Sequence, residues 1–199
     1  MKQYDVYGLG NALLDMEICV TENELAGLQI DKGVMTLIDE DRHHCLVNHF
    51  STRNMLKACG GSAANTMIAI QQLGCQGFYS CKVASDESGA FYLKDLISHG
   101  LDTNLESSRL TEGITGKCLV MVTGDADRTM NTHLGITDNF SRHELNQEAI
   151  EQSSYLYIEG YLVTSDTGRA AAIKAYQIAK KANVPVALTL SDPNMTQFF

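Results

Sequence analysis

The chain has 199 residues, of which 44% are hydrophobic and 20% charged, so it can bury the core of one or two domains. Its net charge of -9 and its scattered Lys and Arg residues exclude the class of nucleic-acid-binding proteins, which present basic surfaces. We find no apolar run long enough for a membrane span and no export leader, and therefore expect a cytoplasmic protein. The six cysteines form no Cys-x-x-Cys pair, and the spacing of the His residues gathers no ligands, so we expect neither a disulfide framework nor a metal site.

Strand patterns and helix patterns alternate along the chain. We expect strands at 4–8, 33–38, 78–84, 154–159 and 184–190, and helices at 39–50, at 62–73, from 85 to a stop at Gly100, shortly after 141, and at 166–183. Residues 117–123 and 129–133 predict an antiparallel hairpin around the turn at 124–127. Because alternating strands and helices pair in parallel through right-handed crossovers, we expect a single α/β domain with a small antiparallel insertion.

The segment Gly60-Gly61-Ser62-Ala63-Ala64-Asn65-Thr66 has the composition of a small-ligand site. Two glycines let the backbone approach a ligand closely, and Ser62 is a candidate N-cap for the helix that follows. The free N–H groups of a helix start can bind polyols, carboxylates or phosphates. A glycine turn into an ordinary core helix would have the same sequence, so this segment alone leaves both interpretations open.

Gly8-Leu9-Gly10 follows the first predicted strand, as the glycines of a dinucleotide-binding turn do. The pattern Gly-x-Gly-x-x-Gly fails, however, because Leu13 stands where its last glycine is needed. The turn offers Asn11 and Asp15 instead, and an ionised Asp can accept hydrogen bonds from both hydroxyls of a vicinal diol. In the alternative interpretation Asn11 only forms the turn and Asp15 is solvated.

Five short motifs, taken together and in this order, resemble the ribokinase and adenosine-kinase (PfkB-type) family of carbohydrate kinases. They are Gly10-Asn11-Ala12-Leu13-Leu14-Asp15, Gly60-Gly61-Ser62-Ala63-Ala64-Asn65, Ala84-Ser85-Asp86-Glu87-Ser88-Gly89, Thr115-Gly116 and Arg128-Thr129-Met130. The resemblance extends over nearly the whole chain. It implies the ribokinase-like fold, a Rossmann-type, mainly parallel sheet flanked by helices, with a small antiparallel β lid formed by segments 16–38 and 117–133 inserted into the domain 1–199.

The activity that the resemblance implies is ATP-dependent phosphorylation of a primary hydroxyl of a sugar or nucleoside, with ATP and Mg²⁺ as cofactors. The substrate-binding residues that it implies are Asn11, Asp15, Gly60, Gly61, Ser62, Asn65 and Glu159, and the lid residues are Leu13, Arg128 and Met130. Asp15 would bind the diol of a furanose ring. Two roles stay open at this point, since Glu159 could be a solvated strand-end carboxylate and Arg128 could form only a surface ion pair.

The resemblance also shows what the 199 residues do not contain. The family has an Asn-x-x-Glu stretch near the metal and phosphates and a Gly-Ala-Gly-Asp loop that carries the catalytic Asp, and neither pattern occurs here. We therefore name no catalytic base and no ATP-binding residue. We expect these residues to be the N-terminal, substrate-binding part of a longer kinase, with the C-terminal part missing, and to be inactive alone.

Two further questions concern substrate and assembly. Ser62 and the first motif resemble adenosine kinases more than ribokinases, whereas Glu159 resembles ribokinases, so we expect a small-molecule nucleoside before a free sugar. The alternative function is a catalytically incomplete binding module that forms a homodimer through its β lid.

Overall fold

The computed structural model of the protein describes residues 2–191 and 193–198. Within these residues ten strands form two five-stranded sheets. The strands are Tyr4–Leu9 (β1), Leu13–Cys19 (β2), Met35–Leu37 (β3), Leu56–Gly60 (β4), Gly77–Ser80 (β5), Asp102–Thr103 (β6), Gly116–Val122 (β7), Arg128–His133 (β8), Ser153–Ile158 (β9) and Val186–Leu188 (β10).

Seven α-helices accompany these strands in the described part of the chain. They are Glu22–Gly27 (α1), Glu40–His49 (α2), Ser62–Gln72 (α3), Glu87–Ser98 (α4), Gln147–Glu151 (α5), Asp166–Lys181 (α6) and Pro193–Phe198 (α7). Most begin at a side chain that caps a free N–H group, such as Asp86 on α4 and Ser165 on α6. None of the described helices combines the length and apolar character that crossing a membrane requires.

The first sheet is entirely parallel, in the order β10-β9-β1-β5-β6. Alternating side chains of its strands enter two apolar clusters, one on each face. Leu9 and Leu156 pack with Ala171 of α6 on one face, and Tyr79 packs with Met67 of α3 on the other. The expected mainly parallel sheet flanked by helices is therefore confirmed.

The second sheet has the order β3-β8-β7-β2-β4 and mixed pairing. The predicted hairpin forms β7 and β8, which pair antiparallel, but β2 pairs with β7 and β3 pairs with β8 in parallel. The sheet is thus mixed rather than purely antiparallel, because β2 and β3 reach it from distant parts of the chain. One face of this sheet is covered by α2, where Leu46 and Phe50 pack on apolar side chains of β2 and β7. The other face of the sheet is turned toward the first sheet.

The structure corrects several local predictions. Ser62 is not the N-cap of α3, because Gly61, which has no side chain, holds that position. The strand expected at 78–84 ends at Ser80. Strand β4 and helix α1 were not expected, although Thr21 and Glu24 form a capping box at α1, which is a recognisable sequence signal.

Candidate functional site

A cavity of about 270 Å³ lies where the carboxyl ends of β1 and β9 and the start of α3 face the second sheet. In parallel sheets, small ligands bind at this edge. Nine of the ten residues expected at the site line the cavity: Asn11, Leu13, Asp15, Gly61, Ser62, Asn65, Arg128, Met130 and Glu159. Gly60, the tenth, lies behind Asp15, where a Cβ atom would overlap the Asp15 carboxylate. The structure therefore brings the expected residues together.

Asp15 is the carboxylate of this cavity that has no hydrogen-bond partner within the described residues. It lies in the middle of β2, opposite Ala58 of β4 and Cys118 of β7. Burial raises its pKa to about 6, although the charge of Arg128 opposes this rise. Asp15 can therefore accept two hydrogen bonds from a ligand, and it is ionised at neutral pH.

The turn that carries Asn11 touches the start of α3. Gly61 has a φ of 97°, and a Cβ atom there would overlap the carbonyl oxygen of Asn11, so this contact requires glycine. Two buried tyrosines hold the turn and the helix start from below: the phenol of Tyr79 donates to the Asn11 carbonyl at 3.2 Å, and that of Tyr92 donates to the Gly60 carbonyl at 3.0 Å. The backbone of the site is therefore fixed by packing and by hydrogen bonds.

Glu159 follows β9 and is only 1% exposed. Its Oε2 accepts a hydrogen bond from the Asn11 N–H at 2.5 Å, and its Oε1 accepts from the Ala63 N–H at 3.2 Å and from the Ser62 hydroxyl. Burial raises the pKa of Glu159, and these donors oppose that rise. The carboxylate thus occupies the anion position at the start of α3, and it is not solvated.

Asn65 lies in the first turn of α3 and is exposed. Its backbone N–H donates to the Gly61 carbonyl at 3.0 Å. Its side-chain amide lies at the rim of the cavity. Arg128 lies at the rim on the second sheet and forms an ion pair with Glu17 at 3.5 Å. Its side chain is 56% exposed, so the ion pair is weak and leaves the guanidinium movable.

The wall formed by the second sheet is mostly apolar. Met35 of β3 stands opposite Met130 of β8, and both line the cavity with Leu13, Leu37 and Leu134. Met35, Leu37 and Leu134 were not expected at the site, since the register of β3 on β8 joins distant segments and has no local sequence signal. This wall fits a flat or apolar group of a ligand.

Cys118 also lines this wall. Burial raises the pKa of its thiol to about 12, so the reactive thiolate is scarce at neutral pH. Cys118 therefore contributes a small apolar surface rather than a nucleophile.

Another cavity, of about 460 Å³, lies beyond the ends of β5 and β6. Its cations are already paired with carboxylates, Lys82 with Glu144 at 2.9 Å and Arg109 with Glu106 at 3.1 Å. None of the expected site residues lines it. Size alone therefore does not make it the functional site.

The cavity beside Asp15 does not fit a nucleoside triphosphate and its metal ion. The α3 start, which could bind a phosphate, already receives the Glu159 carboxylate, and Asp15 would repel another anion. The described residues contain no group of three or more His, Cys, Asp or Glu side chains that could hold a metal ion. We therefore derive no step of phosphoryl transfer from these residues.

The fold and the site define an α/β protein that presents a polar, small-molecule site between a parallel sheet and a second, mixed sheet. A family model described as "pfkB family carbohydrate kinase" matches residues 30–199, and the chain belongs to this family. The expected resemblance is therefore confirmed.

Individual relatives are nucleoside and sugar kinases. The chain is 26% identical over 192 residues to guanosine-inosine kinase from Escherichia coli K12, covering 93% of this chain and 44% of that protein. The structure of adenosine kinase from Sinorhizobium meliloti is similar with a TM-score of 0.91 and 31% identity, over 99% of this chain and 59% of that one. A probable sugar kinase from Rhizobium etli is similar with a TM-score of 0.90 and 29% identity, over 99% and 59%. The chain thus spans about half the length of its relatives.

Proposed function

We propose that this chain is the substrate-binding part of a kinase that phosphorylates a primary hydroxyl of a nucleoside, with ATP as the phosphoryl donor. The observation that carries the proposal is the Asp15 carboxylate, which lines the cavity and has no hydrogen-bond partner among the described residues. A buried carboxylate without donors is unfavourable. A ribose diol would supply two hydroxyl donors to it.

The two ends of the cavity differ in polarity, and this difference favours a nucleoside over a free sugar. Asn11, Asp15 and Asn65 form the polar end, whereas Met35 and Met130 belong to the apolar wall. A free sugar would leave the apolar wall in contact with water. A nucleoside would place its ribose at the polar end and its flat base against the methionines, whose flexible thioether side chains adapt to aromatic rings.

ATP, Mg²⁺ and the catalytic base enter this proposal through the family alone. Mg²⁺ would bridge and neutralise the phosphates of the bound nucleotide. The described residues would bind and orient the nucleoside, and the second sheet would cover it and exclude water. We propose that phosphate transfer requires groups outside these 199 residues, and an ATP turnover assay on the 199-residue polypeptide tests this point, because measurable transfer would contradict it.

The proposed substrate class is tested by thermal unfolding with a panel of nucleosides and hexoses. We expect nucleosides to raise the midpoint of unfolding, since a ligand that binds only the folded state stabilises it. Asp15→Ala should abolish this rise. The matched control is Asp5→Ala, which removes a carboxylate that accepts the Gln76 N–H at 2.8 Å on β1, outside the cavity.

With the control variant, nucleosides should raise the midpoint as they do for the wild type. The proposal fails if no nucleoside shifts the wild-type midpoint, or if Asp15→Ala responds as the wild type does. A shift by hexoses but not by nucleosides would assign the site to a free sugar.

A further inference from the structure

The cavity is lined by two carboxylates with opposite environments. Asp15 has no described donor, whereas Glu159 accepts hydrogen bonds from Asn11, Ser62 and Ala63. The α carbon of Gly10 packs against the remaining side of Glu159, because a Cβ atom there would overlap Oε2. Glu159 therefore has little capacity left for a ligand.

The donors to Glu159 belong to two separate segments that carry the proposed ligand contacts. Asn11 lies on the turn that leads into β2 and Asp15, and Ala63 lies in the first turn of α3, which carries Asn65. The backbone N–H of Glu159 in turn donates to the Leu9 carbonyl at 3.1 Å. A single buried side chain thus connects the end of β9 to both segments.

No Lys or Arg among the described residues forms an ion pair with Glu159. Its charge is balanced by the N–H donors and by the positive end of α3. Because both N–H groups belong to the backbone, moving the carboxylate would move the turn and the helix start themselves.

We propose that Glu159 is a positioning residue, which holds the Asn11 turn and the start of α3 at the separation that one sugar ring requires and makes no contact with that sugar. The inference rests on the proposed function, since it concerns the same site. It replaces the substrate contact that the family resemblance implies for Glu159. Tyr79 and Tyr92 bind the same two segments through the Asn11 and Gly60 carbonyls. The tyrosines and Glu159 together fix the backbone of the site.

The test compares Glu159→Gln with the wild type in calorimetric titrations with adenosine and its 2′-deoxy, 3′-deoxy and 5′-deoxy analogues. Glutamine keeps the shape but turns an NH₂ group toward a backbone donor. We expect the dissociation constant to rise by the same factor, about tenfold, for every analogue that binds measurably, because one lost hydrogen bond to a charged group has this effect.

The matched control is Glu144→Gln. Glu144 is a half-buried carboxylate near the same edge of the first sheet that binds Lys82 at 2.9 Å and the Ser141 N–H at 2.7 Å, outside the cavity. Its replacement should leave all dissociation constants unchanged.

Two titration results would overturn the proposal. If one deoxy analogue binds Glu159→Gln and the wild type equally while adenosine does not, Glu159 contacts the hydroxyl that this analogue lacks. If, at a temperature well below the midpoint of thermal unfolding, adenosine binds Glu159→Gln with the wild-type affinity, Glu159 contributes only to stability.

A second measurement uses the wild type and remains decisive if Glu159→Gln does not fold. We expect the amide protons of Asn11 and Ala63 to stay protected from hydrogen exchange when adenosine is added, because the carboxylate keeps its protein donors. A loss of protection on binding would mean that Glu159 turns to the ligand, and the proposal would fail.

If no nucleoside binds the wild type, the proposed function fails by itself. Hydrogen exchange of the Asn11 and Ala63 amides in folded Glu159→Gln then still decides the structural half of the inference. Exchange at the wild-type rate would show that Glu159 does not hold the two segments.

Discussion

Asp15 combines two properties that conflict in the free protein. It is ionised at neutral pH, yet it is half-buried and has no described hydrogen-bond donor. Natural proteins keep such unfavourable groups where function needs them. The same residue should therefore oppose stability and support binding, and pH separates the two effects.

We predict that nucleoside affinity depends on the ionisation of Asp15. Burial raises the pKa of this group to about 6, and only the ionised form accepts both hydroxyl hydrogens of a diol. The affinity should be constant above pH 7 and should fall about tenfold for each pH unit below the pKa. Titrations between pH 5 and 8 measure this, and Asp15→Asn should bind weakly at every pH.

The stability of the free protein should rise as the pH falls, whereas the nucleoside affinity should fall. The pKa of Asp15 is higher in the folded state than its usual value of 3.8, so the folded state holds the proton more tightly. This contribution to the free energy of unfolding is present below pH 3.8 and is lost as the pH rises through 6. Asp15→Asn should therefore be more stable than the wild type at pH 7, by about 3 kcal/mol.

Urea unfolding at pH 5 and pH 7 measures this gain, which should be smaller at pH 5. A variant that loses both binding and stability at pH 7 would contradict the assignment of Asp15 as a ligand-binding group under strain. An affinity that does not change between pH 5 and 7 would contradict it as well.

At the scale of secondary structure, the first sheet and the β7–β8 hairpin could be predicted, whereas the way β2 and β4 join the second sheet could not. β1, β9 and α6 have local signals: apolar runs, glycine turns and caps such as Ser165. β4 has no such signal, because Leu56, Lys57 and Ala58 are all exposed on an edge strand. Its pairing with β2 depends on the tertiary structure.

The candidate site shows the same division between local and distant information. The motifs identified the polar end of the cavity, because its residues lie in short segments such as the one from Gly60 to Asn65. Leu13 and Met130 of the apolar wall were expected, but Met35 and Leu37 escaped prediction because their position depends on the register of β3 on β8. The bonds of Glu159 escaped too, since they join residues 148 and 96 positions apart.

The start of α3 offers a test of why this segment needs its second glycine. We predict that Gly61→Ala lowers the free energy of unfolding by more than about 3 kcal/mol, since it adds backbone strain to an overlap with the Asn11 carbonyl. Gly74→Ala is the matched control, because Gly74 has a similar φ of 91° but open space around its α carbon. The control should lose about 1 kcal/mol, the strain alone.

Urea unfolding of both variants gives the difference, which measures the contact between the turn and the helix start. Equal losses for the two variants would show that this contact contributes nothing beyond strain. The Asn11 turn would then be free to move independently of α3.

The whole molecule presents an apolar edge on its first sheet. β10 is the outermost strand, and no described strand pairs with its outer side. Leu188 is 60% exposed and Leu190, just beyond the strand, is 64% exposed. An edge with free backbone groups and exposed leucines can pair with another chain.

We predict that the 199-residue polypeptide self-associates through this edge, and that the double variant Leu188→Lys/Leu190→Lys reduces the association, because charged edge residues oppose strand pairing. Light scattering over a range of concentrations measures the mean mass. Leu73→Lys is the matched control, since Leu73 is 84% exposed at the end of α3 and away from β10. The mean mass of this control should equal that of the wild type. A monodisperse, monomeric wild type would show that the β10 edge does not mediate association.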